Sequence, residues 1–167
     1  GGIRRILHDA GTTTLFVTHD QEEALSLADE ISVMREGRIQ QTASPQELYR
    51  CPASRTVAEF IGDSNFIPGE AVGQKVRCAL GELTLRTPVE GPVDVLVRPE
   101  DIELHSSGAV PVTTVASEFF GHDQFVMVKL ESGSVLKVRL PASHRYPLQH
   151  RLTARVRVPV QVFSRSV

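Results

Sequence analysis

The feature that most constrains this chain is a short apolar run between threonines, followed at once by a histidine and a helix start. Residues 15–17 are Leu-Phe-Val, which is typical of a fully buried parallel strand. Asp20 is placed as a helix N-cap, and Glu23 is expected to be its reciprocal capping partner. His19 is therefore expected at the C-terminal end of a strand, the edge at which open α/β sheets bind ligands.

The remainder of the first 62 residues contains short segments with alternating helical and β-strand character. Residues 35–37 include a glycine and predict a hairpin turn. Ser44 and Pro45, with Glu47 in the first turn, predict a helix start. The expected elements are a helix over residues 3–10 that stops at Gly11, a helix over 21–29, strands at 31–34 and 38–42, a helix from Ser44 to about Pro52, and a helix over 54–61 closed by Gly62.

The character of the sequence changes near residue 63. Eight of the ten prolines lie beyond that point, and short alternating runs replace the helical spacing. Many short strands with Gly/Pro turns and no helices predict a small antiparallel barrel. The last run predicts one long half-buried strand over residues 152–162, with Pro159 at an edge or a bulge. The other expected strands are residues 76–80 and 83–86, which flank a turn at Gly81-Glu82, then 93–97, 125–130 and 136–140.

Composition narrows the class of protein. The chain is 41% hydrophobic and 23% charged with a net charge of −2, which is ordinary for a globular protein and gives no general electrostatic reason to bind nucleic acid or anionic membrane. No run approaches the roughly 20 apolar residues that a membrane helix needs. Cys51 and Cys78 are too few for a disulfide framework, which agrees with a reducing compartment.

Several segments, taken in chain order, resemble the ATP-binding subunits of ABC importers. Phe16 to Ala24 is similar to the switch-histidine segment of that family, and two later segments are similar to its accessory TOBE domain. The segments that carry the resemblance are residues 16–24, 28–34, 36–39, 44–49, 51–53 and 57–62 for the ATPase, and 97–102 and 120–123 for the accessory domain.

The resemblance implies an α/β part, the end of an ABC ATPase domain, over residues 1–62 and an all-β OB-like TOBE domain over 63–167. It implies that His19 contacts the γ-phosphate of ATP and the attacking water, with ATP and Mg²⁺ as the cofactors of the intact subunit. Imidazole suits this role because it donates or accepts a proton according to its tautomer. The implied partners are membrane permease subunits, a second ATPase subunit and, indirectly, a solute-binding protein, at the cytoplasmic face of the membrane.

Several parts of such an ATPase do not occur in the sequence. There is no Gly-x-x-x-x-Gly-Lys-Ser/Thr phosphate loop, no Leu-Ser-Gly-Gly-Gln-like signature and no apolar strand that ends in Asp-Glu. The resemblance therefore implies the C-terminal portion of a longer subunit. That subunit would be an ATPase, whereas this chain alone is expected to be inactive and to hold no tightly bound cofactor.

The remaining polar candidates have structural interpretations. Residues 120–123 (Phe-Gly-His-Asp) predict a tight turn of the barrel, and Arg98 begins a corner at which Pro99 stops a strand. Arg151, Arg155 and Arg157 form a basic strip that is read as a solvated face. The other five histidines lack metal-ligand spacing and are expected at the surface: His8, His105, His122, His144 and His150.

Two further functions stay open at this point. The barrel could be a sensing module for a small oxyanion or a regulatory protein. Nucleic-acid binding, which OB-like barrels often perform, ranks last because it needs exposed aromatics on a basic groove. For the solute, residues 41–50 are similar to ferric-iron importers, although polyamine, sulfate and sugar importers share most of the pattern.

Overall fold

The computed structural model describes residue 11 and residues 13–165. The chain divides into two compact units, Gly1–Gly62 and Asp63–Val167. The helix expected over residues 3–10 lies outside the described residues. No helix within the described part is long and apolar enough to cross a membrane.

Residues 13–62 of the first unit contain three short helices and one β-hairpin. The hairpin pairs β1 with β2 in antiparallel register and turns at Glu36-Gly37, whose φ angles are 52° and 73°. One cluster of buried apolar residues in this unit is contributed by the hairpin and the last two helices: Val33, Ala43, Leu48, Val57 and Ile61. The elements are α1 (Gln21–Leu27), β1 (Ile31–Arg35), β2 (Arg38–Ala43), α2 (Pro45–Arg50) and α3 (Arg55–Ile61).

Side-chain hydrogen bonds fix where the second and third helices begin. The hydroxyl of Ser44 accepts a bond from the Glu47 amide at 3.3 Å, and that of Ser54 accepts one from the Val57 amide at 3.2 Å. Capping of this kind satisfies amides that have no partner within the helix. Gln41 supports the connection between the two helices, since its amide donates to the Cys51 carbonyl at 3.1 Å and accepts from the Ala53 amide at 2.7 Å.

The prediction of a buried strand at residues 15–17 is wrong for this chain. These residues form no strand, and the sheet of the first unit consists of β1 and β2 alone within residues 13–62. Leu15 is 91% exposed and Val17 is 87% exposed. A parallel strand acquires both burial and hydrogen bonds from neighbouring strands, and no such neighbour is present among the described residues of this unit.

The second unit consists of two five-stranded antiparallel sheets. Sheet I has the order β12-β6-β3-β4-β5, and sheet II has the order β10-β9-β8-β11-β7. The strands are β3 (Asn65–Val72), β4 (Lys75–Cys78), β5 (Gly81–Thr84), β6 (Gly91–Val97), β7 (Ile102–His105), β8 (Val110–Phe119), β9 (Asp123–Leu130), β10 (Val135–Pro141), β11 (Arg151–Val156) and β12 (Gln161–Ser164).

Both sheets contribute side chains to one apolar core. Alternate residues of each strand point inward, as in Val93, Val95 and Val97 of β6 and Val126 and Val128 of β9. β-Branched valines suit a half-buried pleated surface. The fold class predicted from the sequence, a small α/β part followed by a β-rich OB-like domain, is confirmed.

Two local predictions in the second unit are wrong. The β4–β5 hairpin turns at Ala79-Leu80, because Gly81 pairs with Cys78 as the first residue of β5. The expected single strand over residues 152–162 is two strands in different sheets, β11 in sheet II and β12 in sheet I. The break falls around Pro159, which has no amide hydrogen to donate to a ladder.

One buried amide joins the two sheets. The Asn65 side chain donates to the carbonyls of Val97 at 3.2 Å and Lys137 at 2.8 Å, and accepts from the Lys137 amide at 2.8 Å. Val97 belongs to sheet I and Lys137 to sheet II. Beside it, Arg98 is buried and donates to the Asp63 carbonyl at 3.1 Å and to the Ser64 hydroxyl at 2.6 Å. The first residues of the second unit are therefore fastened to both of its sheets.

Candidate functional site

The segment that carries His19 is held by side-chain hydrogen bonds on both sides of the histidine. Asp20 is the N-cap of α1, and its carboxylate accepts a bond from the Glu23 amide at 3.0 Å. The Thr18 hydroxyl accepts from the Asp20 amide at 2.9 Å and donates to the Glu23 carboxylate at 3.1 Å. The predicted cap at Asp20 is confirmed, whereas the reciprocal partner differs: Glu23 bonds the Thr18 hydroxyl, and Thr18 satisfies the Asp20 amide.

His19 is thus presented to solvent from a backbone that is fixed at both neighbours. Its side chain is exposed, while Thr18 and Asp20 are bound to each other and to the first turn of the helix. An imidazole in this position can donate or accept a hydrogen bond to a ligand that approaches from outside. The arrangement can position a ligand oxygen or a water, and the sequence of residues 1–62 contains no lysine to add to it.

The residues that precede His19 form an exposed apolar run. Phe16 is 57% exposed, between two aliphatic residues that are more exposed still. Scattered exposed apolar residues are ordinary, but a contiguous run marks a surface that is covered in a larger assembly.

The other histidines that the structure describes lie apart from one another, each in its own surroundings. His105 Nε2 lies 3.0 Å from the Glu103 carboxylate, and the ring of His150 stacks on Tyr146 with centroids 6.1 Å apart. His122 and His144 are exposed, and His8 lies outside the described residues. No group of three or more potential metal ligands occurs within the part of the chain that the structure describes.

The remaining predicted residues have the following places. The turn at 120–123 is confirmed, since it joins β8 to β9, the Phe120 amide donates to the Asp123 carbonyl at 2.9 Å, and Gly121 has a φ of 87°. One arginine of the basic strip is paired within the fold, because the Arg157 guanidinium lies 3.0 Å from the Glu103 carboxylate. Arg151 and Arg155 remain exposed on β11.

Buried polar residues of the second unit were missed from the sequence. Thr114 donates to the Pro147 carbonyl at 2.6 Å and accepts from the His150 amide at 2.9 Å, and Gln124 donates to the Pro141 carbonyl at 3.2 Å. Together with Asn65, these residues hydrogen-bond partners that lie between 17 and 72 positions away in the sequence. No local pattern marks such residues, because their partners are set by the tertiary fold.

Comparison with known proteins identifies both units' relatives. Residues 95–162 match the family model described as TOBE domain. The chain is 42% identical over 136 residues to an Fe(3+) ions import ATP-binding protein of Rhodococcus jostii (strain RHA1). This alignment covers 78% of this chain and 39% of that protein. It is 38% identical over 170 residues to a second protein of that description from the same organism, with 98% of this chain and 49% of the relative covered.

Relatives with other described solutes match comparably well. A spermidine/putrescine import ATP-binding protein of Ruegeria pomeroyi (strain ATCC 700808 / DSM 15171 / DSS-3) is 39% identical over 147 residues, covering 82% of this chain and 40% of the relative. A sulfate/thiosulfate import ATP-binding protein of Chromobacterium violaceum is 49% identical over 105 residues, covering 60% of this chain and 28% of the relative. The chain spans at most about half the length of these curated relatives.

Proposed function

We propose that this chain supplies the histidine-bearing end of an import ATPase together with its accessory domain. The premise is that the chain is related to the ATP-binding subunits of ABC importers and carries a TOBE domain. The observation that carries the proposal is the relationship itself, which extends over 98% of this chain in one relative. The relatives do not favour the alternative of a free-standing sensing module.

His19 is the residue proposed to act on nucleotide. The exposed imidazole beside an uncovered apolar run fits a group placed at the edge of a larger sheet, facing the γ-phosphate of ATP. Its contribution would be to position the attacking water and to donate a hydrogen bond to developing charge. Mg²⁺ and the phosphate-binding amides would come from the portion of the subunit that this sequence does not contain.

The two units take different roles in this proposal. Residues 1–62 would complete the nucleotide-binding domain, and residues 63–167 would form the accessory domain that regulates the subunit or stabilises its dimer. The subunit would act at the cytoplasmic face of a membrane with permease partners. Ferric iron is the proposed solute, because two of the relatives above are described as Fe(3+) importers; polyamine and sulfate relatives make it the least constrained part of the proposal.

A turnover measurement tests the proposal. The 167-residue chain alone is expected to release no phosphate from Mg-ATP above buffer, because it has no phosphate loop. Fused behind the part of the Rhodococcus jostii relative that precedes the matched region, it is expected to release phosphate from Mg-ATP at least tenfold above the buffer background, since typical enzymes reach about 1 per second or more.

The control is the same fusion with the lysine of the relative's phosphate loop replaced by alanine, which should abolish turnover while the protein stays folded. Turnover by the unfused chain would contradict the proposal, as would a folded, dimeric fusion that fails to hydrolyse ATP.

A further inference from the structure

The C-terminal fifth of the chain is strongly basic. Residues 132–167 contain seven lysines and arginines and no aspartate or glutamate. The cations of such a stretch either pair with carboxylates within the fold or stay available to attract an oppositely charged partner. The ion pairs within the second unit show which of these cations have a carboxylate partner in the fold.

Four of the seven cations are neutralised inside the second unit. Each pairs with a carboxylate from an earlier part of the unit, so these four are accounted for by the fold itself. The pairs are Lys137 with Asp63 at 2.6 Å, Arg139 with Asp123, Arg157 with Glu103 at 3.0 Å and Arg165 with Asp94 at 3.4 Å.

Two of the three remaining cations, Arg151 and Arg155, lie on the outward face of sheet II, where Lys129, which precedes the basic stretch, lies on the same face. Thr113 of β8 stands in register with Lys129 of β9 on one side and with Arg151 of β11 on the other. Their neighbours Val112, Leu130 and Leu152 are buried, so the row Lys129–Thr113–Arg151 faces solvent. Among residues 13–165, no carboxylate lies within ion-pair distance of Lys129 or Arg151.

A fourth residue extends the row along β11. Arg155 lies four residues after Arg151 on the same face, opposite Glu103. The Glu103 carboxylate is already bound at 3.0 Å by both Arg157 and His105. Lys129, Thr113, Arg151 and Arg155 together are called the basic face below.

We propose that the basic face binds an extended acidic segment of a protein partner. Lys129 and Arg151 are two strand spacings apart, about 10 Å, and their long side chains can converge above Thr113 on one carboxylate. Arg155 lies about 13 Å from Arg151, which is the distance between residues i and i+4 of an extended peptide. An acidic segment with carboxylates at i and i+4 therefore meets both positions, in the manner of other Arg-cluster recognition surfaces.

Other anionic ligands fit this surface less well. A single small oxyanion would occupy the Lys129–Thr113–Arg151 row and leave Arg155 unused. Nucleic acid would need an open aromatic ring for base stacking. Phe125 is covered by Lys137 at 4.7 Å and Arg139 at 5.7 Å from its ring centroid. The exposed rings of Phe119 and Phe120 lie at the β8–β9 turn, at the opposite ends of these strands from Thr113 and Lys129. The proposal is independent of His19 and of nucleotide binding.

Fluorescence anisotropy with two labelled peptides tests the proposal on the full 167-residue chain. The first probe is an extended Glu-Thr-Val-Thr-Glu peptide, and the second has the same composition with its glutamates adjacent. The first is expected to bind more tightly, with an affinity that falls as salt rises. K129Q and R151Q are each expected to weaken binding about threefold to fivefold, as for exposed ion pairs, and R155Q to remove the preference between the two probes.

R77Q is the matched control. Arg77 lies on β4 of sheet I, and its side chain is 86% exposed. The R77Q substitution removes one positive charge, as R151Q does, but from the other sheet, so it should leave peptide binding unchanged. Equal binding of the two peptides, an equal loss in R77Q, no binding at low salt, or displacement of the peptide by micromolar inorganic phosphate would each overturn the proposal.

Discussion

Replacing Asn65 by leucine is expected to lower the free energy of unfolding of the second unit by about 3 kcal/mol. Leucine has the same number of side-chain heavy atoms and the same branching as asparagine but can neither donate nor accept, so three hydrogen bonds of Asn65 are lost together. A buried group left unsatisfied costs about 1–3 kcal/mol, and here the Val97 carbonyl and the Lys137 amide and carbonyl are all affected. Urea denaturation followed by circular dichroism measures the change.

Gln74→Leu is the control for that measurement, because Gln74 is an exposed amide in the turn after β3 and its replacement should cost less than about 0.5 kcal/mol. If Asn65→Leu proved as mild as Gln74→Leu, the bond between the two sheets would be unimportant to stability. Asn65→Asp should also be destabilising, since it keeps one acceptor but removes both donated bonds and buries a carboxyl group.

Replacing His19 by alanine is expected to reduce ATP turnover of the fused subunit about 100-fold, with little change in ATP affinity. A positioned hydrogen-bond donor that acts on charge in the transition state is worth about 10²–10³ in rate when it is removed. A group that acts only in the transition state lowers kcat and kcat/KM equally. The comparison of kcat and KM by steady-state phosphate release therefore separates this role from simple nucleotide binding.

His144→Ala is the matched histidine control, because His144 is equally exposed and lies in the second unit. It should retain full turnover. Asp20→Ala removes the cap of α1 and tests whether the effect at His19 is merely structural: it should cost about 1 kcal/mol of helix stability and much less activity than His19→Ala. A His19→Ala fusion with unimpaired kcat would remove His19 from the proposed mechanism.

Local signals in the sequence predicted the elements whose interactions are local. The caps at Asp20 and Ser44 and the hairpin turn at Glu36-Gly37 each depend on residues within four positions of one another. Alternating apolar residues likewise predicted the all-β character of the second unit. Asn65 could not be found this way, since it bonds Lys137 across 72 positions of the chain.

The errors have equally specific causes. A run of apolar residues at 15–17 predicts burial, but burial depends on neighbouring strands that a sequence pattern cannot guarantee. The alternating run over residues 152–162 predicted one strand because its period is continuous, whereas Pro159 interrupts the ladder and the chain passes from sheet II to sheet I. The proposed role of His19 rests on the similarity to import ATP-binding proteins, and the exposed position of its side chain agrees with the proposal.

The most direct test of the central claim is hydrogen exchange at residues 13–20, compared between the chain alone, the fusion, and the fusion with a non-hydrolysable Mg-ATP analogue. Amides of residues 15–17 should exchange rapidly in the chain alone, where they are exposed, and become protected in the fusion as they join a sheet. Residues 18–20 should gain further protection when nucleotide binds. A fusion that binds the analogue yet leaves residues 15–20 as unprotected as in the chain alone would contradict the assignment of this segment to an ATP site.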